Sequence, residues 1–126
     1  MSADDFIDAA IEHGQRDGLA ALDADERFVF LIAEAESCCD IDGLDALLDR
    51  YPPDDLADCG TAFAEVGAVD IAAALGAVIS VLPSRDEWTL RTADTLIKAR
   101  VGYDCDALRT AVSRRLRSRS ARPRVP

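Results

Sequence analysis

The aspartates of this sequence are the residues whose spacing most directly indicates a binding function. Asp42, Asp45 and Asp49 are three and four residues apart, so a continuous α-helix would bring them onto one face. Their spacing along the helix axis would be about 4.5 Å and then about 6 Å, comparable to the ~3.4 Å axial spacing of phosphates in one DNA strand. Rigid acids at this pitch can imitate a nucleic-acid backbone, although ordinary solvated acids remain an alternative interpretation.

Neighbouring acids extend this pattern on both sides, and we call the whole set the acidic row. It comprises Asp40, Asp42, Asp45, Asp49, Asp54, Asp55 and Asp58. Asp54 and Asp55 directly follow Pro53, where acids also stabilise a helix N-terminus through the helix dipole. For those two residues, helix capping competes with partner binding as the explanation. We expect the acidic row to bind a partner and to have no catalytic part.

The charge of the chain is divided between two regions of opposite sign. The formal net charge is −10, but residues 1–112 contain all 24 acids and eight basic residues, a net charge of −16. Residues 113–126 contain six arginines and no acid. An acidic field repels nucleic acid and attracts basic surfaces. We therefore expect a basic protein as partner, either a DNA-binding regulator or a toxin, and no direct nucleic-acid binding by the acidic body.

Residue types that support catalysis or metal binding are scarce. His13 is the single histidine, and the sequence contains neither a Gly-x-Ser-x-Gly nor a His-Glu-x-x-His motif nor a phosphate loop. The four cysteines lack Cys-x-x-Cys spacing and fall in or beside apolar helical stripes, which favours reduced core residues over disulfides or zinc ligands; they are Cys38, Cys39, Cys59 and Cys105. The sequence predicts no catalytic residue, cofactor or metal, and a small hydrolase or metal-dependent enzyme is the alternative.

Helical periodicity runs through the whole sequence and no segment alternates over a strand length, which predicts an all-α fold. We expect a single compact bundle of about seven helices. Their approximate predicted ranges are 3–13, 23–38, 41–51, 53–66, 70–82, 84–101 and 104–116. Asp23 and Ser84 each begin a sequence that fits a capping box. Gly14 and Gly18 are expected to break the chain after the first helix. Pro52-Pro53 is expected to separate the third helix from the fourth, and Gly67 to cap the fourth.

The fifth predicted helix is apolar nearly all round, so we place it at the centre of the bundle. Trp88, one turn into the sixth helix, is expected in the core, although it and Tyr103 would also suit an interface. The longest nearly uncharged stretch, residues 71–84, is shorter than the roughly 20 apolar residues that span a bilayer. The N-terminus is acidic where a signal peptide would be basic. We therefore predict a cytoplasmic protein without membrane association.

The arginine-rich C-terminus is predicted to differ from the rest. Residues 1–116 are expected to form an acidic helical domain, and residues 117–126 a basic tail that is too charged to bury itself and becomes disordered. Three roles are open for this tail: a solvated end, a contact for phosphates, or a mask that folds back over the acidic face.

Three stretches carry a resemblance to a known pattern. Residues 22–27 (Leu-Asp-Ala-Asp-Glu-Arg), 41–47 (Ile-Asp-Gly-Leu-Asp-Ala-Leu) and 62–68 (Ala-Phe-Ala-Glu-Val-Gly-Ala) resemble successive parts of a domain with an Asn-Gly-Gly-Phe-x-Gln-Phe motif and a later Ala-Leu-x-x-Ile-Gly-Ala segment. That domain defines a family of small acidic bacterial proteins related to DNA mimics, and the chain resembles a divergent member. Ile41, Asp42, Ala46 and Leu47 depart from the motif, while Gly43 and Leu44 keep its character.

The resemblance implies an all-helical domain whose acidic surface occupies the DNA-binding face of a regulatory protein. The function expected from charge and resemblance together is inhibition of a basic DNA-binding protein. A toxin-neutralising immunity protein is the alternative, because such inhibitors are commonly small, helical and acidic.

Overall fold

The computed structural model of the chain describes residues 2–100 and 105–121. Over these residues the fold consists of seven α-helices and one 3-10 turn, without a strand, which confirms the predicted all-α bundle of about seven helices. The helices are α1 (Ala3–Asp17), α2 (Ala24–Ile41), α3 (Leu44–Arg50), α4 (Pro53–Glu65), α5 (Val69–Val81), α6 (Glu87–Arg100) and α7 (Cys105–Ala121). Across the same residues, no helix combines the length and apolar character that a membrane span requires.

Local sequence signals set several helix ends as predicted. Asp23 caps α2 in a complete capping box: its carboxylate accepts the Glu26 N–H, and the Glu26 carboxylate accepts the Asp23 N–H. Pro53 is the first residue of α4, where a missing N–H costs nothing. Gly67, with φ of +85°, follows the end of α4 in the left-handed region that favours glycine. These three predicted boundaries are confirmed.

Two other predicted boundaries are wrong. Gly14 does not end α1, which continues for three more residues to its C-cap at Gly18, because Gly14 packs directly on α2. A Cβ atom at Gly14 would lie 2.3 Å from the Phe30 ring, so glycine permits the close approach of the two helices. At the start of α6, Asp86 rather than Ser84 is the cap, since its carboxylate accepts hydrogen bonds from both the N–H and the hydroxyl of Thr89.

Helix α2 is the central element of the bundle. It buries nine residues and packs against α1, α3, α4, α6 and α7. The apolar helix α5, which we predicted to be central, packs mainly against α4 and α6 and buries only Ile71, Leu75 and Val78. Its opposite face is open, and Val69 is 67% exposed. The prediction is wrong because composition alone does not reveal whether the chain covers both faces of an apolar helix.

The observed exposure of Trp88 also contradicts its predicted position. It is 78% exposed, whereas Ala93 and Ile97 supply the buried face of α6. The prediction that Trp88 lies in the core is therefore wrong. Tyr103, the other aromatic considered for an interface, and Asp104, the first residue of the predicted seventh helix, lie outside the described residues.

Helix α7 extends past the predicted end of the folded domain. It continues to Ala121, so the expectation of disorder directly after Leu116 is wrong for residues 117–121. The helix packs against α1 and α2 and contributes buried Ala111 and Val112 to the core. Residues 122–126 of the predicted tail lie outside the described residues.

Candidate acidic interface

The acidic row is divided among three helices rather than carried by one. Asp40 lies in the last turn of α2 and Asp42 is its C-cap. Gly43, with φ of +87°, then turns the chain before α3 begins. Asp42 is therefore not on the same helix as Asp45 and Asp49, and the predicted single-helix row of three carboxylates is wrong. Only Asp45 and Asp49, four residues apart on α3, keep the expected helical spacing.

Arg85, in the connection between α5 and α6, bridges this remaining pair. Its Nη1 donates to Asp45 Oδ1 at 3.2 Å and its Nη2 donates to Asp49 Oδ1 at 2.6 Å. The hydrogen bond to the Asp49 carboxylate raises the pKa of Arg85 above its ordinary value. Both aspartates stay largely exposed. Since ion pairs this exposed contribute little to stability, a basic group from a partner could replace Arg85 at little cost.

Arg27 makes a second internal bridge, between α2 and α4. Its Nη2 donates to Asp55 Oδ1 at 3.2 Å and to Asp58 Oδ2 at 2.9 Å. Arg27 and Asp55 are both more than two-thirds buried at the side chain, whereas Asp58 is more exposed. These two acids of the predicted row therefore take part in holding α4 against α2.

The remaining members of the row are exposed and free. Asp40, Asp42 and Asp54 are all solvent-exposed, and none of them has an ion-pair partner in the described part of the chain. Asp54 lies in the first turn of α4, where its charge also favours the helix dipole. Within the described residues, the unpaired negative charge of the row is thus at the end of α2 and the start of α4, which precede and follow α3 along the chain.

An open cleft of about 350 Å³ lies beside this bridge, between α3 and α6. Its charged lining includes Asp45, Arg85 and Asp94. Asp94 accepts the N–H of Leu44 at 3.1 Å and so supplies the N-terminus of α3 with a cap from a different helix. It also forms an ion pair with Lys98. The charged groups that line the cleft are thus largely occupied by one another.

A second cluster of acids, which sequence reasoning missed, binds the arginines of α7. Asp25 is only 8% exposed and is the one buried charged residue among those described. Arg115 donates to it at 2.8 Å and to both Glu65 oxygens at 2.6 and 2.7 Å. Arg119 donates to Asp25 at 2.7 Å and to Asp23 at 3.0 Å. These contacts join residues that are 50 to 96 positions apart in the sequence, so no local sequence pattern predicts them.

The same contacts bear on the predicted mask. The arginine-rich segment does fold onto acids, but Arg115 and Arg119 contact the α2 N-terminus and the end of α4, not the acidic row. The Arg115 guanidinium also lies over the Phe28 ring, 4.2 Å from its centroid. The hydrogen bond to Glu65 raises the pKa of Arg115. These arginines fasten α7 to the bundle and leave the acidic row uncovered by them.

The residues considered for catalysis occupy structural positions. His13 Nδ1 lies 2.6 Å from Glu26 Oε2 and its Nε2 lies 3.4 Å from Asp17 Oδ2, so the ring links α1 to the start of α2. Cys38, Cys39 and Cys59 are free and buried, and burial raises the pKa of the Cys59 thiol to about 12. No group of three or more histidine, cysteine, aspartate or glutamate side chains able to hold a metal occurs in residues 2–100 and 105–121.

Comparison with known proteins identifies no relative: no family model, curated protein or solved structure matches the chain. The resemblance to the acidic DNA-mimic family therefore rests on three short sequence stretches.

Proposed function

We propose that this protein is a non-enzymatic acidic binding protein that inhibits a basic partner, namely a DNA-binding protein, by occupying its DNA-binding face. The observation that carries the proposal is the exposure of three carboxylates at the end of α2 and in the first turn of α4: Asp40, Asp42 and Asp54 have no ion-pair partner in the described residues. The net charge of −16 on residues 1–112 supports it, because a field of that sign attracts basic surfaces over a distance.

The bridge at α3 suggests how a basic partner would be accommodated. Arg85 occupies Asp45 and Asp49 much as a partner's arginine would, and all three side chains are more than one-third exposed. A partner would contact the free carboxylates first and then exchange its own cation for Arg85. Because Arg85 competes with the partner, Arg85→Gln is expected to raise the affinity, whereas removal of the aspartates is expected to lower it.

The test begins with a partner captured from lysate of the source cells, eluted by salt, purified and titrated against the full chain at several salt concentrations. The key variant combines Asp40→Lys, Asp42→Lys and Asp54→Lys. A matched control makes the same charge change at three exposed acids of α1, and it combines Asp5→Lys, Asp8→Lys and Glu12→Lys. We expect at least about a tenfold loss of affinity for the first variant and a flatter salt dependence, with a much smaller loss for the control.

Competition with duplex DNA distinguishes the proposed inhibitor from its alternative. If the purified partner binds DNA, and this protein and DNA exclude each other from it, the DNA-mimic proposal is supported. If the partner does not bind DNA but is a toxic enzyme that this protein neutralises, the immunity alternative replaces it. Equal losses in the two triple variants, or an affinity that does not change with salt, would contradict a specific acidic interface.

A further inference from the structure

Two large apolar side chains are exposed to solvent beside the acidic row. In residues 2–100 and 105–121, the exposed large apolar residues are Ile41, Val69, Val81 and Trp88. The two valines lie at the ends of α5. Ile41 is the last residue of α2 and is 74% exposed, and Trp88, in the first turn of α6, is 78% exposed. Neither Ile41 nor Trp88 therefore serves the core of the bundle.

The surroundings of Ile41 differ from those of an isolated apolar residue on a polar surface. Asp40 and Asp42 flank it in the sequence, and both are exposed. Neither aspartate has an ion-pair partner in the part of the chain that the structure describes. An apolar side chain within a polar rim is typical of a binding hot spot, because the rim keeps water away from the central contact.

Trp88 belongs to a chain segment that meets the end of α2 at one cleft. The cleft between α3 and α6 is lined by Gly43, two residues after Ile41, and by Glu87, the residue before Trp88. Arg85, which bridges the two acids of α3, precedes Trp88 by three residues. Tryptophan is enriched in hot spots, and the face of its ring attracts arginine and lysine cations.

We propose that Ile41 and Trp88 are the apolar anchors with which the acidic row holds its basic partner. The inference rests on the proposed function and narrows the chemistry of the partner. The partner presents an apolar site that receives Ile41, with arginine or lysine side chains around it that bind Asp40 and Asp42. A further cation of the partner lies on the ring of Trp88.

Charge and apolar surface together select this occupant. The carboxylates on both sides of Ile41 attract cations and repel a second acidic copy of this chain, whose formal net charge is −10. A flexible polycation would bind the carboxylates but leave Ile41 in water. A DNA-binding face offers both kinds of contact, because its cations bind phosphates and its apolar side chains contact the methyl groups of thymine.

The two kinds of contact respond differently to salt. Salt screens the attraction between carboxylates and cations, whereas the burial of apolar surface does not depend on that screening. Removal of an anchor should therefore lower the affinity by a similar factor at every salt concentration. Removal of the carboxylates should instead make the affinity less dependent on salt.

Titration of the purified partner against the full chain, at several salt concentrations, tests the anchors. Ile41→Ser and Trp88→Ala each remove one anchor, and Val69→Ser makes the matched change at an exposed β-branched residue of α5. Circular dichroism spectra verify that every variant is folded. Trp88 is the only tryptophan of the chain, so incorporation of 5-fluorotryptophan provides a single fluorine resonance that reports on this side chain.

We expect Ile41→Ser and Trp88→Ala each to weaken binding at least about tenfold without a change in the salt dependence. Val69→Ser should weaken binding by less than about twofold. The fluorine resonance of Trp88 should shift when the partner saturates the chain. A resonance that does not move, or a loss for Val69→Ser as large as that for Ile41→Ser, would overturn the proposal.

The charge variant of the proposed function separates the two ideas. If the variant with lysine at positions 40, 42 and 54 loses affinity while both anchor variants bind normally, the anchors are overturned and the proposed function stands. If the charge variant also binds normally, or if the chain retains no partner at low salt, both are overturned.

Discussion

Substitution of Arg115 by methionine tests the ionic contact that fastens α7 to α2 and α4. Methionine keeps an unbranched apolar stem against Phe28 and removes the guanidinium. The change breaks three hydrogen bonds of 2.6 to 2.8 Å, one to Asp25 and two to Glu65. It also removes one of the two cations that compensate the carboxylate of Asp25, which is only 8% exposed.

The expected cost lies between that of a buried and that of an exposed ion pair. Breaking a buried pair costs about 3–5 kcal/mol, and an exposed pair contributes at most about 1 kcal/mol. The side chains of Arg115 and Asp25 are 27% and 12% exposed, and Arg119 still donates to Asp25 at 2.7 Å. We therefore expect Arg115→Met to lower the free energy of unfolding by about 2 kcal/mol. For a domain of this size, that corresponds to a fall in Tm of about 8 °C.

Urea unfolding followed by circular dichroism measures this loss. Arg114→Met is the matched control, because Arg114 is the exposed neighbour on the same helix and should change stability by less than about 0.5 kcal/mol. Arg115→Lys keeps the charge but loses the two-pronged contact with Glu65, so an intermediate value is expected. Equal stability of the Arg114 and Arg115 methionine variants would refute the structural role of this contact.

Three further outcomes follow from contacts inside the bundle. Gly14→Ala should destabilise the fold by about 2 kcal/mol in urea, and Phe30→Leu in the same chain should restore part of the loss; unchanged stability would contradict the close approach of α1 and α2. Burial opposes ionisation of Asp23, but the Glu26 N–H and Arg119 outweigh it and hold the pKa of Asp23 below its usual 3.8. A carboxyl with a lowered folded pKa stabilises the fold above its unfolded value and loses this contribution as the pH falls through the folded value. The stability difference between the natural chain and Asp23→Asn should therefore be constant near neutral pH and shrink below about pH 4, and a difference that stays constant in acid would count against it. Alkylation of Cys59, followed by mass spectrometry at about pH 8, should be negligible in the folded protein and rapid in urea, because only the thiolate reacts; fast native labelling would show that the thiol is accessible.

The helix ends that the sequence predicts correctly are those set by residues within the same turn of helix. The capping box of Asp23 and Glu26, the proline pair before α4 and Gly67 all act on their own turn of helix, so their effect can be recognised without knowing the fold. Gly14 was misinterpreted because the same residue type that ends helices also permits helices to touch.

The acidic row was predictable in composition but not in its arrangement on the helices. Exposure of Asp40, Asp42 and Asp54 agrees with the predicted row, yet the left-handed turn at Gly43 separates Asp42 from α3. The ion pair between Arg85 and Asp49 joins residues 36 positions apart, and helical periodicity contains no information on such pairings. The number of acids in the sequence therefore overestimates how far a continuous, unpaired negative surface extends along the row.

The burial of side chains is hardest to predict for apolar residues that lie on the surface of the bundle. Helix α5 and Trp88 both have the apolar character of the core, but one face of α5 and the Trp88 side chain are exposed to solvent. Sequence hydropathy reports that a side chain avoids water, but not whether its own chain or another molecule provides the cover.

The docking of α7 also has a consequence for the order of events during synthesis. The carboxylates of Asp25 and Glu65 leave the ribosome well before Arg115, which follows Asp25 by 90 positions. Until α7 has been translated, the start of α2 contains an acid that the finished bundle buries, without the guanidinium that compensates it. Long-range contacts of this kind slow folding, because a large loop must close before they form. The nascent chain would therefore complete the packing around the start of α2 only after α7 emerges, and a ribosome-stalled chain ending before α7 should remain sensitive to protease in that region.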